Sequence, residues 1–208
     1  MDRRKLIRKI LVYAIYILLL SSLQVSYPYS FGFGGQIADF TFVFVVLTGY
    51  FYGFKDAAVV GLLMGLARDC LAPIAIIGID GTLHVSAGIG MLVMFLAGAV
   101  GSSFFTKRMH RNIPFAFVSV AFTTLLYKIS GHFLAYSWTF IAPAAGNYDL
   151  GVYEIVVRSC LLQTLLNLIA TIPILLLLRF AGPVSINETR STSDDVIMTS
   201  GDNSWLQI

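Results

Sequence analysis

Charge is what this sequence has least of. Only 12% of its 208 residues are Asp, Glu, Lys or Arg, while 57% are hydrophobic. A soluble domain carries about 25% charged residues, so the deficit fits a chain whose solvent is mostly lipid. Cysteine is nearly missing too. Cys70 and Cys160 are the only two, and both lie in apolar segments. That number excludes a disulfide framework or a cysteine-rich metal centre and reads as two small buried thiols. A basic stripe and a stacking motif are both absent, which excludes nucleic acid as a partner. Catalytic patterns are missing as well. There is no His-Glu-x-x-His, no Gly-x-Ser-x-Gly, no glycine-rich phosphate loop and no pair of carboxylates on one helix face. His84 and Ser86 are two apart and would fall on different faces of a helix. The segments between apolar runs are too short for a separate catalytic domain. Two matching broken-helix repeats, which would suit a carrier, are not visible. The expectation is a protein that is no enzyme and needs neither metal nor cofactor.

What is present is a set of long apolar runs. A helix needs about 20 mostly apolar residues to cross the hydrocarbon. Six candidate spans can be drawn: 7–23, 37–52, 57–74, 82–105, 113–136 and 153–180. Spans two and three are short and joined by a tight turn over Gly53–Asp56. Span six is long enough to tilt or to begin in the interface. Alternation of period two is absent over any useful length. The class expected is therefore all-α: a polytopic membrane protein with six transmembrane helices in one compact bundle, residues 1–182. Beyond it the chain turns polar, and 183–208 is expected to be a disordered cytoplasmic tail. The sequon Asn187–Thr189 falls in that tail, on the wrong side for glycosylation.

Lys and Arg are distributed unevenly, and this predicts an orientation. Arg3, Arg4, Lys5, Arg8 and Lys9 precede span one. Lys55 sits between spans two and three, and Lys107, Arg108 and Arg111 between spans four and five. Arg179 and Arg190 lie at and beyond the end of span six. The alternate segments 24–36, 75–81 and 137–152 contain no Lys or Arg. Both termini are therefore expected in the cytoplasm. The basic start followed by an apolar run looks superficially like a signal peptide, but no small-x-small cleavage site follows cleanly, so a retained first span is expected. The outer segments 27–35 and 137–148 mix aromatics with turn residues and read as interfacial connections.

Polar residues inside the spans are few and patterned. Ala57, Gly61, Gly65 and Asp69 recur every four residues, which sets three small residues and one acid on a single helix face. Such a stripe lets another backbone come close. Gly90, Ala97, Gly98 and Gly101 thin one side of span four, and Ala97-x-x-x-Gly101 fits a further small-residue contact. A charge in hydrocarbon costs roughly 2.5–3.5 kcal/mol on insertion scales, so Asp69 needs a partner or a wet cavity. With the orientation above, Asp39, Arg68, Asp69, Asp80, His84, Lys128, His132, Glu154 and Arg158 all fall in the outer half. Two readings are open. Asp69 pairs with Lys128 or Arg158 and locks helices together, or the cluster lines an outward cavity that receives a ligand or a partner segment. Glu154–Arg158 is the spacing of a helix-end pair, and Arg68 can snorkel outward. Deeper in span six, Gln163 and Asn167 share a face and can hydrogen-bond between helices.

These residues support a resemblance. Gly61-Leu-Leu-Met-Gly65-Leu-Ala-Arg-Asp69 resembles the Gly-x-x-x-Gly-x-x-x-Asp segment of the rod shape-determining MreD family. Asp39-Phe40 resembles that family's Pro-Asp-hydrophobic start, with Ala38 in place of Pro, and Ile77-Gly78 resembles its Ile-Gly turn. The resemblance covers spans two to four, and the rest only by topology. It implies a non-enzymatic scaffold of the bacterial inner membrane, within the cell-elongation machinery that builds peptidoglycan. The partners implied are an MreC-like membrane-anchored protein and, through it, an MreB-like filament, a RodA-like glycosyltransferase and its transpeptidase. Six compact spans with an outward polar pocket also resemble the substrate-binding S component of energy-coupling-factor vitamin transporters. That family carries Ala-x-x-x-Ala on its first span, whereas here Ala14 is followed by Leu18.

Overall fold

The computed structural model describes residues 3–27, 32–71, 74–77, 83–86, 88–104, 112–141, 151 and 153–183. Within them the chain forms α1 (Arg3–Ser26), α2 (Phe40–Tyr52), α3 (Phe54–Leu71), a hairpin of β1 (Ile74–Ile77) and β2 (Leu83–Ser86), α4 (Ile89–Ser103), α5 (Ile113–Ile141) and α6 (Leu162–Ala181). A π-helical stretch, Glu154–Leu161, leads directly into α6, and the Leu162 amide donates to the Val157 carbonyl across it. The helical class expected from the sequence holds. The tail from 184 onward and Asp80 lie outside the described residues.

Among the described residues three stretches are long and apolar enough to cross a membrane: Leu6–Ser26, Ile113–Leu134 and Glu154–Ala181. Their outer faces are apolar and open. Leu18 is 73% exposed and Phe180 81%. Patches of that kind suit lipid rather than water. The other helices are shorter. α2 has 13 residues, about 20 Å at 1.5 Å per residue, against a hydrocarbon core of about 30 Å.

That short helix is the centre of the molecule. Every residue from Thr41 to Phe51 is buried. Its sequence Phe-Thr-Phe-Val-Phe-Val-Val-Leu-Thr-Gly-Tyr-Phe-Tyr has no polar face, and a helix that is apolar all round belongs inside a bundle. Tyr16 and Leu20 of α1, Met64 of α3, Met94 of α4, Val120 of α5 and Ile174 and Leu178 of α6 belong to the same buried cluster. The Thr48 hydroxyl, buried among apolar side chains, donates to its own helix at the Phe44 carbonyl, 2.8 Å away.

α4 packs antiparallel to α3 and also lies against α2, and glycine makes both contacts possible. The stripe on α3 meets α4 at four-residue steps. Ala57 faces Gly98, Gly61 faces Met94, Gly65 faces Gly90 and Met91, and Asp69 reaches the α4 N-terminus. A Cβ on Gly61 would stand 2.7 Å from the Met94 carbonyl oxygen, and one on Gly98 would stand 3.0 Å from that of Ala57. On the other side a Cβ on Gly101 would stand 2.6 Å from the Val46 carbonyl oxygen, and one on Gly49 would stand 2.6 Å from that of Gly98. The small residues of α4 therefore serve two neighbours, and Ala97 is buried between them.

Several expectations need correction. The β-hairpin, with Ile74 opposite Ser86 and Ile77 opposite Leu83, occupies the end of span three and the start of span four. Its β-branched residues have strand propensity, and four-residue strands are too short to register as alternation. His84 consequently lies in β2, paired with Ile76, and not on a helix. The turn after α2 is a single residue. Gly53, at φ 90°, reverses the chain so that α3 begins at Phe54. Few residues but glycine adopt that φ. Cys160 is buried as expected, but Cys70 is exposed.

Filling the α3–α4 contact has a predictable effect. Gly61→Leu forces two backbones apart and should cost about 1–3 kcal/mol, seen as a lowered melting temperature of the purified protein. Gly131→Ala is the control, because nothing lies within 4 Å of a Cβ there. It should leave melting unchanged or raise it slightly.

Candidate functional site

The first turn of a helix leaves four amides without partners. In an apolar bundle those amides need an acceptor from elsewhere. α4 begins at Gly88-Ile-Gly-Met91, and no side chain of its own caps it. The acceptor comes from α3. Asp69, only 8% exposed, takes the Gly88 amide on Oδ2 at 2.7 Å, the Gly90 amide on Oδ1 at 3.0 Å and the Met91 amide on Oδ2 at 3.4 Å. Its negative charge also sits at the positive end of the α4 dipole. Gly88 at φ 99° turns its amide toward the carboxylate. Gly90 has no room for a side chain, because its Cβ would collide with Asp69 Oδ1.

α2 is capped from within and braced from outside. Asp39 Oδ1 accepts the Phe42 amide at 2.9 Å and the Thr41 hydroxyl at 2.7 Å. Its other oxygen holds Arg68 of α3 in an ion pair at 3.0 Å. The extended residues before the cap are held by three more helices. Gln24 of α1 donates to the Ala38 carbonyl and accepts the Phe40 amide. Gln163 donates to the Ile37 carbonyl at 2.8 Å. Asn167 accepts the Asp39 amide at 2.9 Å while its Nδ2 donates to Thr124 of α5. Lys128 of α5 donates to Gln36 Oε1 at 3.2 Å. The polar groups at this end converge on one short segment, Gln36–Asp39, and fix where the central helix starts.

The expected residues thus separate. Asp39 and Arg68 come together. Asp69 does not pair with Lys128 or Arg158, because the α4 amides take both its oxygens. Arg158 stays with Glu154, 3.7 Å away on an exposed face, and neither joins the cluster. His132, one turn from Lys128, places Nε2 2.8 Å from Ser159 Oγ on the π-helical stretch. Gln163 and Asn167 bridge helices as their shared face implied. Gln24, Gln36, Thr124 and Ser159 carried no signal, since lone amides and hydroxyls are common in connecting segments and helices alike.

A second polar cluster ties the opposite end. Lys9 of α1 meets Asp56 in the first turn of α3 at 2.7 Å, and the Tyr13 hydroxyl donates to the same carboxylate at 3.0 Å. The Tyr16 hydroxyl donates to the Leu177 and Ala181 carbonyls, which close the last turn of α6. Lys9 and Tyr13 are four apart, a spacing that could have pointed to this contact. No group of three His, Cys, Asp or Glu side chains suited to a metal ion occurs among the described residues.

No protein-family model matches this chain, and searches of curated proteins and of solved structures return no significant match.

Two substitutions test the caps. Asp69→Ala removes the acceptor for three α4 amides and should destabilise by about 1–3 kcal/mol, whereas Asp69→Asn keeps one oxygen and should lose less. Asp39→Ala removes the α2 cap and leaves Arg68 without its carboxylate, and should lower stability by about 2 kcal/mol. Adding Arg68→Ala to it should restore part of that loss in a thermal-unfolding double-mutant cycle.

Proposed function

We propose that this chain is a non-enzymatic scaffold of the MreD type. All six helices lie within the bacterial inner membrane, and both termini face the cytoplasm. It holds the transmembrane and juxtamembrane region of an MreC-like partner and through it the MreB-like filament and the RodA-like synthase with its transpeptidase. One observation carries this reading. The Gly61-x-x-x-Gly65-x-x-x-Asp69 segment, on which the resemblance rests, works as a unit: its glycines admit α4 and its acid caps α4. A pattern with that mechanical job suits a protein whose function is to hold shape.

The S-component reading has less support. A vitamin site needs polar groups turned toward a ligand, whereas Asp39, Arg68, Asp69, Gln163 and Asn167 engage the chain's own backbone and side chains.

The test is assembly. Asp69→Leu should reduce co-purification of the MreC-like partner from membranes and round the cells that carry it, with Asp69→Asn milder in both. Normal partner recovery and rod-shaped cells in Asp69→Leu would sink the proposal. A large stabilisation of the purified chain by one vitamin would favour the transporter instead.

A further inference from the structure

Asp69 and Asp39 are both engaged, and among the described residues Lys128 is a cation at the polar end that makes no direct ion pair. Lys128 is half-buried on α5, and its described partner is a neutral amide, Gln36 Oε1 at 3.2 Å. Among the described residues no carboxylate lies within 4 Å of its Nζ. The Asp39 carboxylate already receives Arg68, the Thr41 hydroxyl and the Phe42 amide. Asp69 is turned to α4. An ammonium withdrawn from water needs an anion nearby.

The groups beside Lys128 fit such an anion. His132 follows it by one turn on the same face of α5, and Ser159 faces His132 from the π-helical stretch at 2.8 Å. An ammonium and a hydroxyl from two adjacent helices, the hydroxyl held by the His132 ring, form a donor pair suited to phosphate oxygens. A lysine near the end of an apolar stretch can extend its stem toward a lipid headgroup. The apolar stretch of α5 ends at Leu134, which puts Lys128 about 9 Å and His132 about 3 Å below that end. Neighbouring positions offer acyl-chain surface: Ile129 and Phe133 on α5 and Val156 and Val157 on the π-helical stretch are all exposed.

We propose that Lys128, with His132 and Ser159, forms a phosphate-binding site between α5 and the π-helical stretch, and that the phosphate belongs to the headgroup of a membrane lipid. The site depends on membrane embedding, not on the shape-determining role, so either proposal can fail alone. The same donors would take a soluble phosphate, and the experiment separates the two sources.

The full-length chain is reconstituted in nanodiscs of phosphatidic acid and phosphatidylcholine, and retained lipid is read by native mass spectrometry. Phosphatidic acid should be retained preferentially. Lys128→Gln should weaken retention about tenfold, the loss of one charge-assisted contact, and Lys128→Arg should recover most of it. Ser159→Ala, on the other helix, should weaken it severalfold and serves as the read if Lys128→Gln fails to fold. Arg8→Gln, at the opposite end, should change nothing. Equal retention by wild type and both site variants overturns the proposal. So does a loss confined to Arg8→Gln, which would place the lipid at the basic end. Stabilisation by inorganic phosphate that needs Lys128, without retained lipid, keeps the anion site and overturns its lipid source.

Discussion

A helix end in an apolar bundle has amides that water cannot reach, and the Asp69 carboxylate is the answer to that constraint at α4. The rest of the α3–α4 unit follows from it. For Asp69 to reach three amides of another helix, the two backbones must be close at that end. Closeness requires Gly65 and Gly90 at the crossing and continues through Gly61 and Gly98 along the antiparallel axis. Between helices in lipid there is little hydrophobic gain, so packing and polar ties must supply the association. The stripe supplies the first and its terminal acid the second.

The central helix follows the same logic in a different form. α2 is shorter than the hydrocarbon and buried throughout, so its N-terminus opens inside the bundle. Asp39 caps it, and Gln24, Gln163 and Asn167 satisfy the extended residues before it. Each of these side chains comes from a different position in the chain, yet all meet the same few backbone atoms. The long outer helices α1, α5 and α6 surround that core and supply these side chains and Lys128.

How much of this the sequence discloses depends on the range of the interaction. The Ala57–Asp69 stripe is legible because period four on one helix is local, and so is its consequence, a close neighbour. The identity of the neighbour's amides as the partner of Asp69 is not legible. Backbone N–H groups look alike in sequence, whereas Lys128 and Arg158 stand out as charges and draw the inference toward ion pairing. The meeting of Asp39 with Arg68 is within what span alternation suggested, whereas Glu154 and Arg158 pair with each other on an exposed face. The segment on which they converge, Gln36–Asp39, was hidden because an extended stretch of four residues before a short helix reads as part of the span. The hairpin was hidden for the same reason: Ile74–Ile77 and Leu83–Ser86 are apolar enough to extend the neighbouring helices on paper.

These contacts also separate two kinds of polar residue at one end of one bundle. Asp39, Asp69, Gln163 and Asn167 have acceptors and donors matched inside the chain, and burial makes each match hard to give up. A group held that firmly serves the frame. Lys128 differs because its described partner is a single neutral amide oxygen. Hydrogen bonding and charge neutralisation are separate requirements, and in the proposed lipid site a phosphate meets both for Lys128. In that proposal the frame and the exchangeable contact sit one helix apart without interfering. Asp69 fixes α4 and Asp39 fixes α2, while Lys128 on α5 meets a neutral amide beside that frame.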